Sequence, residues 1–330
     1  MTHARLALPR RQLIAGALAA SLAAPAFARP ASDAQADAAA ARRFDRERRF
    51  LPTAFGRIAY VERGRGPVAL FLHGFPLSGF QWRGALDRLS GVRRCLAPDF
   101  LGLGHTEPAH GQSVAPAAQV EMLAAFLDHL GVRRVDLVAN DSGGAVAQLF
   151  AARWPERVRS LLLTNCDVET DSPPAALLPV LEMAREGTYP DRWLVPWLRD
   201  KALARSAEGL GGMCFSDPSR PTDVALEQYL GPLVASPARK ALTNRYALGL
   251  SPNPLAGLSP RLCRVTAPVR VLWGMSDTIF NPENPEYLRR VFPNVDGVLG
   301  IAAARLFFPE EFPDIVAAEA RRLWAKAGHG

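Results

Sequence analysis

Short apolar runs recur along this chain, at 68–72, 95–98, 135–139, 161–164 and 269–273. A run without polar alternation suits a strand covered on both faces. The segment 57–62 reads as a further strand ahead of them. Between the runs, 120–130 and 145–153 repeat apolar residues at helical spacing. Strands that alternate with helices through short connections predict an α/β protein, with a mostly parallel, doubly wound sheet.

The alternation stops between Asn165 and Pro268. This stretch is rich in Pro, Leu and Arg and carries Tyr189, Trp193, Trp197, Tyr229 and Tyr246 on segments of helical pattern. It reads as a helical cap over 166–265, set into a core formed by 49–165 and 266–330. A second independent domain is the competing reading. Inserts flanked by strands of one sheet tend to cover its carboxyl edge, where pockets lie. Residues 29–48 hold few large apolar groups and read as a leader, linker or frayed helix. No internal repeat is present.

The N-terminus changes the picture of where the protein works. Arg10 and Arg11 precede an apolar run over 13–24, and Ala26-Phe27-Ala28 supplies a small-x-small cleavage site. These are the three parts of an export signal over 1–28. The arginine pair points to the twin-arginine route and a periplasmic or secreted product. The apolar run is too short to span a bilayer, so no stable membrane insertion is expected after the signal is removed.

The 330 residues are 48% hydrophobic and 22% charged, enough apolar material for one large core and a smaller cap. Arg5, Arg10 and Arg11 lie in the signal. Without them the chain has 36 basic against 32 acidic side chains, so +7 becomes +4. The remaining arginines are scattered, with no basic run, which argues against nucleic acid as a partner. Cys95, Cys166, Cys214 and Cys263 show no metal-ligand spacing. Cys95 reads as a buried small hydrophobe, and Cys214 and Cys263 could pair in an oxidising compartment. No cofactor or metal is implied, for no phosphate-cradling glycine motif follows the first strand.

The chemistry concentrates at 135–147, where a buried strand runs into a helix through Asn140-Asp141-Ser142-Gly143-Gly144. Such a turn needs small neighbours, because it forces its central residue into a strained conformation that lifts the side chain above the sheet. Two registers compete. With Asp141 central, Ala139, Gly143 and Gly144 are the small flanks; with Ser142 central, the second flank has no small residue after it. The first fits better and makes Asp141 the nucleophile candidate, with the Ser142 amide as an oxyanion donor. An aspartate that merely caps the following helix is the competing reading.

Beyond the turn, His73-Gly74-Phe75-Pro76, Trp82-Arg83, the 98–106 segment, the 151–158 segment and 271–277 follow in order. Together with the Asp141 turn, these blocks resemble α/β-hydrolases, nearest the epoxide hydrolase and haloalkane dehalogenase branch. The resemblance covers about residues 50–165 and 265–325. It implies an α/β-hydrolase fold, an oxyanion amide from Phe75, a bracing role for His73, and Asp277 as the acid that orients a catalytic histidine.

The pattern breaks at the histidine itself. Its counterpart segment is 304–313, and counting back from Glu311 and Pro313 puts Leu306 at the histidine position. Neighbouring Arg305 could pair with Asp141 or Asp277, but a guanidinium is a poor base. His105 and His329 are the remaining histidines within conceivable reach. Ser142 also stands where the resembling dehalogenases carry a halide-holding tryptophan, which favours epoxide or ester chemistry. Tyr189, Tyr229 and Tyr246 are the cap's candidate acids. The sequence therefore predicts an exported hydrolase of a small, mainly apolar molecule with an Asp nucleophile and a non-standard base. A non-hydrolytic relative, either a ligand-binding pseudoenzyme or an enzyme of other chemistry, is the alternative.

Overall fold

All five apolar runs become strands of one sheet. The structure, a computed structural model, describes residues 32–328; the expected export signal and His329 lie outside the described residues. The strands are β1 (Arg49–Thr53), β2 (Gly56–Arg63), β3 (Val68–Leu72), β4 (Arg94–Pro98), β5 (Glu107–Pro108), β6 (Val135–Asp141), β7 (Val158–Cys166), β8 (Val269–Gly274) and β9 (Val295–Ile301). Their order is β1-β2-β4-β3-β6-β7-β8-β9, with β5 beside β2. From β4 across to β9 every pairing is parallel, and β1, β2 and β5 form an antiparallel margin. Every residue of β3 and β6 is buried, as strands with helices on both faces must be.

Two marginal strands escape the sequence pattern for identifiable reasons. β1 is five mostly exposed residues containing Pro52, and β9 contains Gly297 and Gly300 and is only half-buried. Edge strands carry little of the core, so they carry little of its hydrophobic signature.

The segment expected to be a leader or frayed helix is instead an ordered helix, α1 (Ser32–Glu47). Among its described side chains, only Ala41 and Phe44 are buried hydrophobics. Ion pairs do the remaining fastening: Glu47 to Arg63 at 2.6 Å, Arg43 to Asp87 at 2.8 Å and Asp37 to Arg83 at 3.4 Å. Arg63 and Arg83 are themselves buried, so these contacts tie α1 to the core.

Helices α2 (Arg83–Leu89), α3 (Pro116–His129) and α4 (Ser142–Arg153) cover the sheet, and the helix Pro313–Ala327 packs against α2. Between β7 and β8 the chain forms helices and turns with one isolated bridge, Val168 to Asp171. This insert includes the helices Leu178–Arg185, Asp223–Val234 and Pro237–Gly249. No described helix is long and apolar enough to cross a membrane. The suggested Cys214–Cys263 bridge is absent. All four cysteines are free, Cys214 being buried in the insert and Cys263 exposed near β8.

Candidate active site

β6 runs directly into α4, and Asp141 is the residue at the bend. Its backbone has φ 55° and ψ −133°, and among the described residues no other non-glycine has positive φ. An L-residue reaches that region only at a cost of order 1–3 kcal/mol, so the surroundings must enforce it. The glycines after the bend show how. A Cβ on Gly143 would stand 2.5 Å from the Leu72 carbonyl oxygen, and one on Gly144 would stand 2.3 Å from the Cys166 Cβ. Only glycine lets α4 begin that close to β3 and β7. Ser142 is the first residue of the helix, not its bend.

Two backbone amides converge on one carboxylate oxygen. The Phe75 N–H donates to Asp141 Oδ1 at 2.8 Å and the Ser142 N–H donates to the same oxygen at 2.5 Å. Burial raises the Asp141 pKa while these donors oppose the rise. The Phe75 loop is held from below. The Phe100 N–H donates to His73 Nε2 at 3.0 Å, so the ring's proton resides on Nδ1, 2.9 Å from the Gly74 carbonyl oxygen. Burial depresses the His73 pKa, keeping it a neutral brace.

Asn140, one residue before the bend, joins the remaining loops. It accepts from Gln81 Nε2 at 2.7 Å and donates to Thr164 Oγ1, the Asn165 carbonyl and the Leu306 carbonyl at 2.9–3.1 Å. Gln81 in turn accepts from the Gly74 N–H at 3.0 Å. Four segments distant in sequence are thereby fixed around one carboxylate.

That carboxylate opens into a concave cavity with about 660 Å³ of empty space, its open mouth included. Apolar and aromatic side chains line it: Phe75, Leu177, Val180, Tyr189, Trp193 and Trp197 among them. Asp141, Ser142, Phe75, Tyr189 and Leu306 thus meet at one place. Leu306 is buried and stands in the wall.

Other expected residues land elsewhere. Arg305 pairs with neither Asp141 nor Asp277; its guanidinium donates to the Gly212 carbonyl and its N–H to Ser216 Oγ, so it fastens the 304–307 loop to the cap. Tyr229 is no cap acid facing the cavity. Its hydroxyl donates to Glu310 at 2.5 Å and accepts from Arg83 at 3.3 Å, within a buried charge cluster. Tyr246 lies behind Ser142, hydroxyl to hydroxyl at 3.3 Å. Asp277 accepts from Asn165 Nδ2 at 2.8 Å and from the Ile279 N–H at 3.0 Å, and burial pushes its pKa up to about 6. His105 lines a separate polar cleft with Arg48 and Arg239, while His110 and His129 are exposed. Among the described residues, no histidine lines the Asp141 cavity.

One wall residue carried no sequence signal. Asp167, just past β7, lines the cavity beside Asp141 and is buried. Its Oδ1 accepts from Ser172 Oγ at 2.7 Å, and Gln148 of α4 holds its carbonyl at 2.7 Å. Burial, then the charge of Asp141, pushes its pKa up to about 7.

A parallel sheet with a helical insert at its carboxyl edge and a strained strand–helix bend beneath it define an α/β-hydrolase architecture. The family described as "alpha/beta hydrolase fold" matches residues 67–312, and the chain belongs to it. Within that family it falls in the epoxide hydrolase and haloalkane dehalogenase-like branch. It is 30% identical over 281 residues to haloalkane dehalogenase 2 of Mycobacterium tuberculosis, covering 82% of this chain and 93% of that one. It is 27% identical to human epoxide hydrolase 4, covering 79% and 73%. The solved structure of the epoxide hydrolase CorEH superposes with a TM-score of 0.70 at 21% identity, covering 84% of this chain and 98% of that one.

Proposed function

We propose that this chain is an exported hydrolase of small, largely apolar molecules, epoxides before esters, that works through an ester on Asp141. One observation carries the reading. Asp141 is forced to the apex of the bend with Oδ1 in the grip of the Phe75 and Ser142 amides. That leaves its other oxygen to attack, and no proton need be removed first, since a carboxylate is already a nucleophile. When water later adds to the ester carbon, charge develops on Oδ1, where two donors already wait. The apolar cavity and the named relatives support the substrate class. Tyr189, kept protonated by burial, is available in the wall to donate to a departing oxygen. Periplasmic or secreted location rests on the arginine pair, apolar run and cleavage site of residues 1–28.

Leu306 favours a second reading, a pseudoenzyme that binds ligand or stops at the ester, because leucine cannot activate water. One experiment separates the two. Incubation with epoxides, haloalkanes and activated esters, followed by product and intact-mass measurement, should give sustained product. Saturable thermal stabilisation by these compounds with neither product nor adduct would replace the hydrolase by the binder.

A further inference from the structure

We propose that Asp167 is the proton-transfer group of this site, activating the water that releases the ester from Asp141. The inference rests on the Asp141 reading above. Cys166 is the register partner of Asp141 across β6 and β7, and Asp167 is the next residue. Strands lie about 4.8 Å apart, so the two aspartates' Cα atoms are within roughly 6–9 Å. Both residues line the same cavity. Asp167 is also firmly placed, by Ser172 on its Oδ1 and by Gln148, a residue of the helix that follows Asp141, on its carbonyl. A strand end one step from the bend is more rigid than a loop, as a proton-transfer group requires.

The charges around it set the timing. Asp167 faces Asp141 from the bend, Tyr246 from the cap helix, Cys166 of its own strand and Asp171 of its own loop. Burial favours its protonated form first, and the Asp141 carboxylate favours it second. The pair thus holds one proton, as two carboxyls sharing a desolvated site do. With an epoxide, one Asp141 oxygen attacks ring carbon, the C–O bond breaks, and the alkoxide takes the Asp167 proton. Asp141 is now a neutral ester. With its neighbour's charge gone, Asp167 ionises more readily and becomes a base when one is needed. It takes a proton from water as the hydroxide adds to the ester carbon and Oδ1 draws charge between the two amides. Collapse expels the alkoxide, which takes that proton back from Asp167. Asp141 is left as a carboxylic acid and returns its proton to Asp167. Epoxide and water have become a diol, and both side chains are as they began.

The test uses the full chain with styrene oxide, 1,2-epoxyhexane and 1-bromohexane. Wild type should turn over at least one of them. Asp167→Asn should lose turnover by about 10²–10⁴-fold with the epoxides, whose opening and release both use its proton. With 1-bromohexane, whose bromide leaves without one, it should accumulate one equivalent of hexyl ester; Asp141→Asn should give neither. Ester release in wild type should quicken as pH rises through the ionisation of Asp167, Asp167→Asn should be flat, and Asp167→Glu should recover part of the rate. A structural role would not produce that pH split, and the melting temperature of Asp167→Asn should be no lower than wild type. Wild-type turnover in Asp167→Asn would overturn Asp167 and leave Asp141 standing, and so would a wild type that itself stalls as the ester. Neither adduct nor product from wild type would overturn the Asp141 reading and this proposal together.

Discussion

Two stretches of the cavity wall, the bend at Asp141 and the loop at Leu306, differ in how much of their chemistry the backbone carries. At the bend, the donors are main-chain amides of Phe75 and Ser142, and the φ of 55° is enforced by glycine contacts with β3 and β7. At the loop, the backbone is equally well anchored. Asn140 holds the Leu306 carbonyl, the Phe307 N–H donates to the Cys214 carbonyl at 2.9 Å, and Glu311 accepts from Ser216 and Asp217. What the loop projects into the cavity, however, is one hydrocarbon side chain. Features made by the chain path come with the fold, whereas a group supplied by one side chain is exchanged by one substitution without disturbing it.

The largest effect that would break this contrast is at the bend. Asp141→Asn should lower turnover by at least about 10³-fold, measured as product release, with the fold intact by circular dichroism. Residual turnover near wild type would move the chemistry elsewhere. Next is pH. Asp167 binds its proton more tightly folded than unfolded, so the stability that proton brings is present below its ordinary pKa and lost as pH rises toward about 7. Denaturant titration should find the advantage of Asp167→Asn over wild type widening between pH 4 and pH 8, by about 4 kcal/mol at most.

Packing sharpens the comparison further. Gly144→Ala should cost about 1–3 kcal/mol through the Cys166 clash, whereas Leu306→Met should cost under about 1.5 kcal/mol; thermal unfolding checks both, and equal costs would erase the distinction. The smallest effect is a gain. Leu306→His in the Asp167→Asn background should speed ester decay about tenfold, with a pH dependence near the ordinary imidazole value.

Legibility in the sequence followed the same division. The apolar runs announced the central strands, and the small residues around Asp141 announced the bend, because sterics at a tight crossing leave few residues to choose from. α1 was hidden because arginine and carboxylate side chains hold it more than apolar ones do. Tyr229 looked like a cap acid because nothing local reveals that Glu310, 81 residues away in sequence, takes its hydroxyl. Asp167 was missed for a related reason. An aspartate after a strand is ordinary, and its meaning comes from a neighbouring strand that lies far off along the chain. The register of β6 on β7 is what turns it from a turn residue into the partner of Asp141.

The fastening of the 304–311 segment to the insert has a mechanical corollary. Arg305, Phe307 and Glu311 are all bonded to residues 212–217, so any lifting of that part of the roof must drag position 306 along. Asp167 is moored instead, through Gln148, to the helix beneath. A side chain at 306 is therefore tied to the roof, whereas one at 167 is tied to the sheet and α4.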